Sequence, residues 1–204
     1  MVTGYKRIKI LSEAEVNDLY SLPKFTLEER IIFFSLNKKE RQIIEKIPDI
    51  SSKVHAILQL GYFKAKGRLF SFDYKDVLLD LDYVLTQYFA IQDKRKSILL
   101  KAKKEESNKK ILALLNFRDF NDKTRKELVE QTLLLVRIHA NHLDIFREIL
   151  SQIQIKQIVL PNYTILQDII SLSINIEFKR IENILRDNIP PALCKQDILQ
   201  NILV

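Results

Sequence analysis

The sequence predicts an all-α fold of two small helical domains, the first of them helix-turn-helix-like. Three observations predict it. Glycine and proline are scarce, 3 and 5 in 204 residues, so few positions interrupt a helix. Alternating strand-like runs are short, whereas apolar residues recur at helical spacing. Several segments open with a capping side chain and, three residues later, an acid that can reach back to the backbone.

The elements follow in order. Ser12 with Glu15 opens a helix that stops before Pro23. Thr26 with Glu29 opens one from Leu27 to about Leu36, and Asn37 with Glu40 opens one to about Ile47, stopped by Pro48. Ser52 caps a helix from Lys53 to about Lys64–Lys66, and Gly67 follows where a left-handed residue is commonly needed. Tyr74–Phe89, Lys94–Lys104, Ser107–Leu115, Lys123–His139 and Leu143–Ile153 read as further helices. Ile155–Leu160 reads as an extended connector ended by Pro161. Thr164 with Gln167 opens a helix through Asn175 or on to Asp187. Pro190-Pro191 breaks it, and a short tail helix ends at Leu203. The domain boundary is placed at Ser71-Phe72-Asp73, giving domains 1–72 and 73–204.

With 47% hydrophobic residues the chain can bury a core. A net charge of +7 and a pI near 9.3 point to an anionic partner. The single cysteine, Cys194, excludes an intrachain disulfide and a zinc finger and fits a reducing compartment. Met1–Leu11 is too polar for a signal peptide, and no apolar run approaches the roughly 20 residues of a membrane span. A cytoplasmic protein with no membrane contact is expected.

On a helical wheel of Lys53–Lys66, Val54, Ile57, Leu58 and Gly61 share a packing face, with Gly61 admitting a close neighbour. His55, Gln59, Tyr62 and Lys66 form a stripe on the other side, and each can hydrogen-bond to a base edge or a phosphate. From Ser51 to Phe72 the charge is +4 (Lys53, Lys64, Lys66, Arg68) with no acid. A second tract, Lys94–Lys110, carries eight basic residues, including Lys101, Lys103, Lys104, Lys109 and Lys110, against Glu105 and Glu106. The two tracts together exceed the whole-chain charge, which is the footprint of a polyanion binder. Solvated lysine-rich surface helices would give the same pattern, so a helical protein-interaction domain with an incidental basic surface stays open.

No catalytic, cofactor or metal set is expected. His139 and His142 lie near Asp144, but the third histidine, His55, is far off in sequence, and a surface pair is the plainer reading. Three glycines cannot build a phosphate loop. Glu28-Glu29, Asp80/Asp82 and Glu105-Glu106 have ordinary salt-bridge neighbours.

Several segments resemble the N-terminal region of the Tn-three family of replicative, cointegrate-forming bacterial transposases. They are Ile10-Leu11-Ser12-Glu13, Leu22-Pro23, Phe33–Leu36, and the run from Leu58-Gln59-Leu60 to Arg68. In the family that run ends in Arg-Tyr-Pro-Gly-Arg; here Lys64 stands for the arginine and Lys66 for the proline. Leu115–Phe120 resembles the family's Leu-Gly-Phe-Arg-x-Phe, with Asn116 for the glycine, and Ile158–Gln167 resembles its Ile-Val-Leu-Pro-x-Tyr-Thr-x-Leu-Gln connector. Lys103, Lys104 and Ser107 replace the family's Thr-Arg-x-x-His helix. The resemblance implies a module that binds double-stranded DNA at transposon terminal inverted repeats. It also implies a DDE catalytic region downstream and absent here, a nucleoid location in a bacterium, and a homodimer in the full-length protein. His55, Gln59 and Tyr62 would face bases. Lys53, Lys64, Lys66 and Arg68, and a second set of Lys101, Lys103, Lys104, Lys109, Lys110 and Arg118, would hold phosphates.

Overall fold

Local capping chemistry sets the first helices. The structure, a computed structural model, describes residues 7–89 and 104–188. Helices α1 (Glu13–Tyr20), α2 (Leu27–Phe33) and α3 (Lys38–Glu45) each begin with the capping box read from the sequence. The reach-back acids Glu15, Glu29 and Glu40 each accept from the cap backbone N–H at 2.8 Å. Helix α4 (Ile50–Lys66) starts earlier than Lys53, because Asp49 rather than Ser52 is its cap and accepts from the Ser52 N–H at 2.7 Å. It ends at Gly67, whose φ of 65° is the left-handed conformation expected there.

A single 3₁₀ turn, Tyr74–Asp76, precedes α5 (Leu78–Phe89). Then follow α6 (Lys104–Leu115), α7 (Asp122–Val136), α8 (His142–Ile155) and α9 (Tyr163–Asn188). Asn116 takes φ 59°, the glycine-like position, and Gln157 takes φ 51° just after α8. The Gln167 amide donates to the Ile8 carbonyl at 2.8 Å. The fold among the described residues is all-α, with nine α-helices. The expected connector pairs with the chain after α6 only through an isolated parallel bridge, Arg118 to Ile158. The helix read at Lys94–Lys104 falls almost wholly outside the described residues, and the tail helix ending at Leu203 lies entirely outside them.

Two apolar clusters organise the helices. In the first, α2 to α6 surround α4, and Phe25, Phe34, Val54, Leu58, Tyr62, Phe72, Tyr74, Leu81, Val84 and Ile111 pack together. In the second, α7, α8 and α9 pack around Leu128, Phe146, Ile149, Leu166 and Ile170. The segment before α1 belongs to this second cluster. Ile8 N donates to Ser171 Oγ at 3.0 Å, and Ile10 N and Leu11 N donate to the Tyr163 hydroxyl at 3.2 and 3.0 Å. Val16 and Leu19 of α1 pack on the same cluster.

The apolar packing therefore does not divide at Ser71–Asp73. Tyr74, Val77 and Leu81 share one core with Val54 and Leu58, so part of the wall that closes α4 comes from residues assigned by sequence to the second domain. The first core ends with α6, and residues 7–20 cross over to the second. A third small cluster, Phe63, Leu112 and Val159, joins the two. Local composition could not reveal this exchange, because it depends on contacts more than 150 residues apart.

Candidate nucleic-acid interface

The expected recognition helix is the centre of the first core. Every residue of α4 from Val54 to Phe63 is buried. His55, Gln59 and Tyr62, expected to face base edges, are 2%, 0% and 0% exposed. The polar stripe is satisfied from within. Gln59 Nε2 donates to the Phe70 carbonyl at 2.9 Å and to Asn108 Oδ1 at 3.0 Å, and its Oε1 accepts from Phe70 N at 3.1 Å. The Tyr62 hydroxyl donates to Asp80 Oδ2 at 2.7 Å, while Arg30 Nε holds Oδ1 at 2.7 Å. His55 stacks on Phe72, ring centres 5.3 Å apart and 16° from parallel. The exposure read for this stripe is thus corrected. Gln, His and Tyr tolerate burial once partnered, and the chain at Phe70–Phe72 together with α5 and α6 supplies the partners. Burial pushes the Tyr62 hydroxyl well above the usual tyrosine range, and its bond to Asp80 adds to the shift.

The basic end of α4 is half-buried and committed to the fold. Lys64 Nζ donates to the Ser35 carbonyl at 2.7 Å and to Glu40 Oε2 at 2.9 Å. Lys66 Nζ donates to the Asp18 carbonyl at 2.6 Å. Arg68 donates to Asn162 Oδ1 at 2.9 Å, and its guanidinium lies 4.9 Å from the Tyr20 ring centre and 5.2 Å from that of Phe70. Desolvation lowers the Arg68 pKa. Together with Leu160 N, which donates to the Gly67 carbonyl at 3.0 Å, these contacts make the segment the joint between the two cores. An open apolar pocket of about 470 Å³ lies at this joint, walled by Leu19, Phe63, Leu115, Phe117, Leu150 and Ile153.

The second tract is placed in part. Lys101 and Lys103 lie outside the described residues, and Lys104 begins α6. Lys109 is exposed and Lys110 half-exposed. Arg118 is bound by Glu127, at 3.2 and 3.0 Å to its two oxygens.

One helix that the sequence reading passed over adds exposed basic residues to those of the two tracts. Ser107 Oγ donates to the Ser52 carbonyl at 3.4 Å, which lays the start of α6 against the start of α4. Lys53 is half-exposed in the first turn of α4, and Lys109 is exposed on the side of α6 away from Ser107. Helix α3 touches both α4 and α6. Its apolar face, Ile43, Ile44 and Ile47, points inward, and Arg41 sits 6.0 Å from the ring centre of Tyr88 in α5. Lys39 and Lys46 fall on the flank opposite Arg41. With Glu40 turned inward to Lys64, the outer face of α3 keeps Lys38, Lys39, Arg41 and Lys46 against one exposed acid, Glu45. A wheel of residues 38–46 carries that signal, but the two acids in the run hide it in a simple charge count.

Among the described residues no group of three His, Cys, Asp or Glu side chains is placed to hold a metal ion, and no helix is long and apolar enough to cross a membrane. The class these elements define is an all-α helical domain. The particular family is shown by comparison: the chain belongs to DUF4158, a domain of unknown function, whose family model matches residues 10–172. No curated protein matches the chain.

Proposed function

We propose that this chain is a duplex-DNA-binding module of a transposase-like protein, of the Tn-three kind, acting at the element's terminal inverted repeats in a bacterial cytoplasm. The observation that carries the reading is the exposed face of α3, which presents Lys38, Lys39, Arg41 and Lys46 against one exposed acid, in a chain with net charge +7 that also exposes Lys109 on α6. The family is known from transposase-like proteins, which supports the reading independently of charge. The binding is electrostatic in origin. Ammonium groups contact phosphates and release counterions, and specificity resides in whichever exposed side chains reach the grooves. His55, Gln59 and Tyr62 have no part in it, being sealed in the core.

The test is binding of the purified chain to a labelled duplex of its own element's terminal repeat and to a scrambled duplex, across a salt series. Lys46→Glu and Lys109→Glu are expected to weaken binding to both duplexes. Each should also flatten the salt slope by about one for every phosphate left without its lysine. Unchanged binding in both variants removes the lysines of α3 and α6 from the interface. No binding of the unaltered chain at low salt ends the DNA reading.

A further inference from the structure

We propose that the open pocket between the two cores binds a small aromatic amine, with the ring on the apolar wall and the ammonium group at the ends of helices. The inference goes beyond the DNA reading and uses none of the residues that carry it.

The pocket holds about 470 Å³, the size of a site for a small ligand. Four helices end at it. Leu19 lies in the last turn of α1, Lys64, Ala65 and Lys66 in that of α4, Leu115 in that of α6, and Ile153 and Gln154 in that of α8, and all of them line the pocket. The carbonyl end of a helix carries about half a negative elementary charge, so four ends at one place favour a cation. The end of α4 makes this concrete. Residues 64 to 67 all line the pocket, although consecutive side chains of a helix point about 100° apart. What four such residues present to one side is the helix end itself, with its main-chain carbonyls. Among the described residues no group donates to the carbonyls of Lys64, Ala65 or Lys66.

The basic side chains near these helix ends do not reverse the preference, because each is turned to an acceptor of the protein. The Lys64 ammonium goes to the Ser35 carbonyl and Glu40, and that of Lys66 to the Asp18 carbonyl. The Arg68 and Arg118 guanidiniums go to Asn162 and Glu127. An entering carboxylate or phosphate has to break one of these pairs, whereas an ammonium meets carbonyls that already point at it. The rest of the wall is apolar and partly aromatic. Phe117 is half-buried and meets the buried Phe63 edge to face, ring centres 4.8 Å apart and 84° from parallel. Phe63 is 2% exposed, so Phe117 is the ring a ligand reaches, by an offset or edge-on contact. Half-buried Leu115, Leu150 and Leu160 complete the surface for a ring. An apolar ring with one cationic donor satisfies both parts of the pocket, and an ammonium beside Phe117 also gains from the ring face.

The experiment is titration of the full chain, followed by probe fluorescence anisotropy, with three probes that share one ring system: naphthylmethylamine, naphthalenemethanol and naphthoate. The amine is expected to bind tightest and the carboxylate weakest, with about a tenfold gap between them. Gln154→Lys, an exposed change at the rim, brings an ammonium of the protein to the helix ends. It should weaken the amine about tenfold, strengthen the carboxylate and leave the melting temperature unchanged. Leu150→Trp, which fills the pocket, should abolish binding of all three probes. No binding of the amine overturns the proposal, as does equal binding of the three heads or tightest binding of the carboxylate. Amine binding that neither variant alters overturns it too, because the ring then sits elsewhere. Should Leu150→Trp fail to fold, Gln154→Lys alone decides. Duplex binding is measured on the same chain without probe, so either reading can fail while the other stands.

Discussion

Gln59 shows what a single residue contributes when its polarity is turned inward. Its amide bonds both backbone groups of Phe70 and the side chain of Asn108, tying the chain after α4 and helix α6 to the central helix. Gln59→Ala leaves these groups buried without partners and opens a cavity, so it is expected to destabilise the fold by about 2–4 kcal/mol. A shifted urea midpoint would report this, and the ratio of affinities for repeat and scrambled duplex should not change in the folded fraction. Glu177 makes a different kind of contribution. Its carboxyl is held at a pKa of about 2, first by the side-chain bond with Arg180 and next by that with Arg137, against some desolvation. Its folded pKa is depressed, so its stabilisation is complete above the ordinary glutamate value of 4.5 and is lost as pH falls from there towards 2. Glu177→Gln should therefore flatten the acid limb of a melting-temperature profile between those two values and leave the profile near neutrality parallel to that of the unaltered chain.

At the scale of elements, α4 is decisive because both of its long sides are covered. Gly61 is where α2 comes closest. A Cβ at that position would enter the ring of Phe34, which is fully buried and cannot move aside. Gly61→Ala is expected to cost about 1–3 kcal/mol through overpacking, although alanine is the better helix former. A higher melting temperature in this variant would contradict the close approach. Helix starts are legible in the sequence to within a few residues, since a cap acts over one turn and needs no distant partner. Ser12, Thr26 and Asn37 behave as their sequence context demands. The cap of α4 is not legible in the same way, because Asp49 and Ser52 are both able to cap. The Asp49 carboxylate, which accepts from the Ser52 N–H, places Ser52 inside the first turn.

The whole molecule is assembled by exchange between its halves. Residues 7–20 pack on α7–α9, while α5 and α6 complete the core begun by α2–α4. A fragment of residues 1–72 would expose the faces that Leu81, Val84 and Ile111 cover, and it would carry an unpartnered α1. Expressed alone, it is expected to show no cooperative thermal transition, whereas the full chain should show one. A sharp transition in the fragment would restore the division at Ser71–Asp73.

The sequence by itself determined the helical class, most helix starts, the left-handed turns at Gly67 and Asn116, and the net basicity. These are local properties, fixed by caps, backbone preference and charge within a few residues. Tertiary structure alone decided which face of α4 meets solvent, where Lys64, Lys66 and Arg68 spend their charge, and which residues form the basic surface. The reason is that uncharged hydrogen-bonding side chains such as Gln59 and Tyr62 are satisfied equally well by water or by a buried partner. Only the arrival of Phe70, Asp80 and Asn108 from elsewhere in the chain makes the choice.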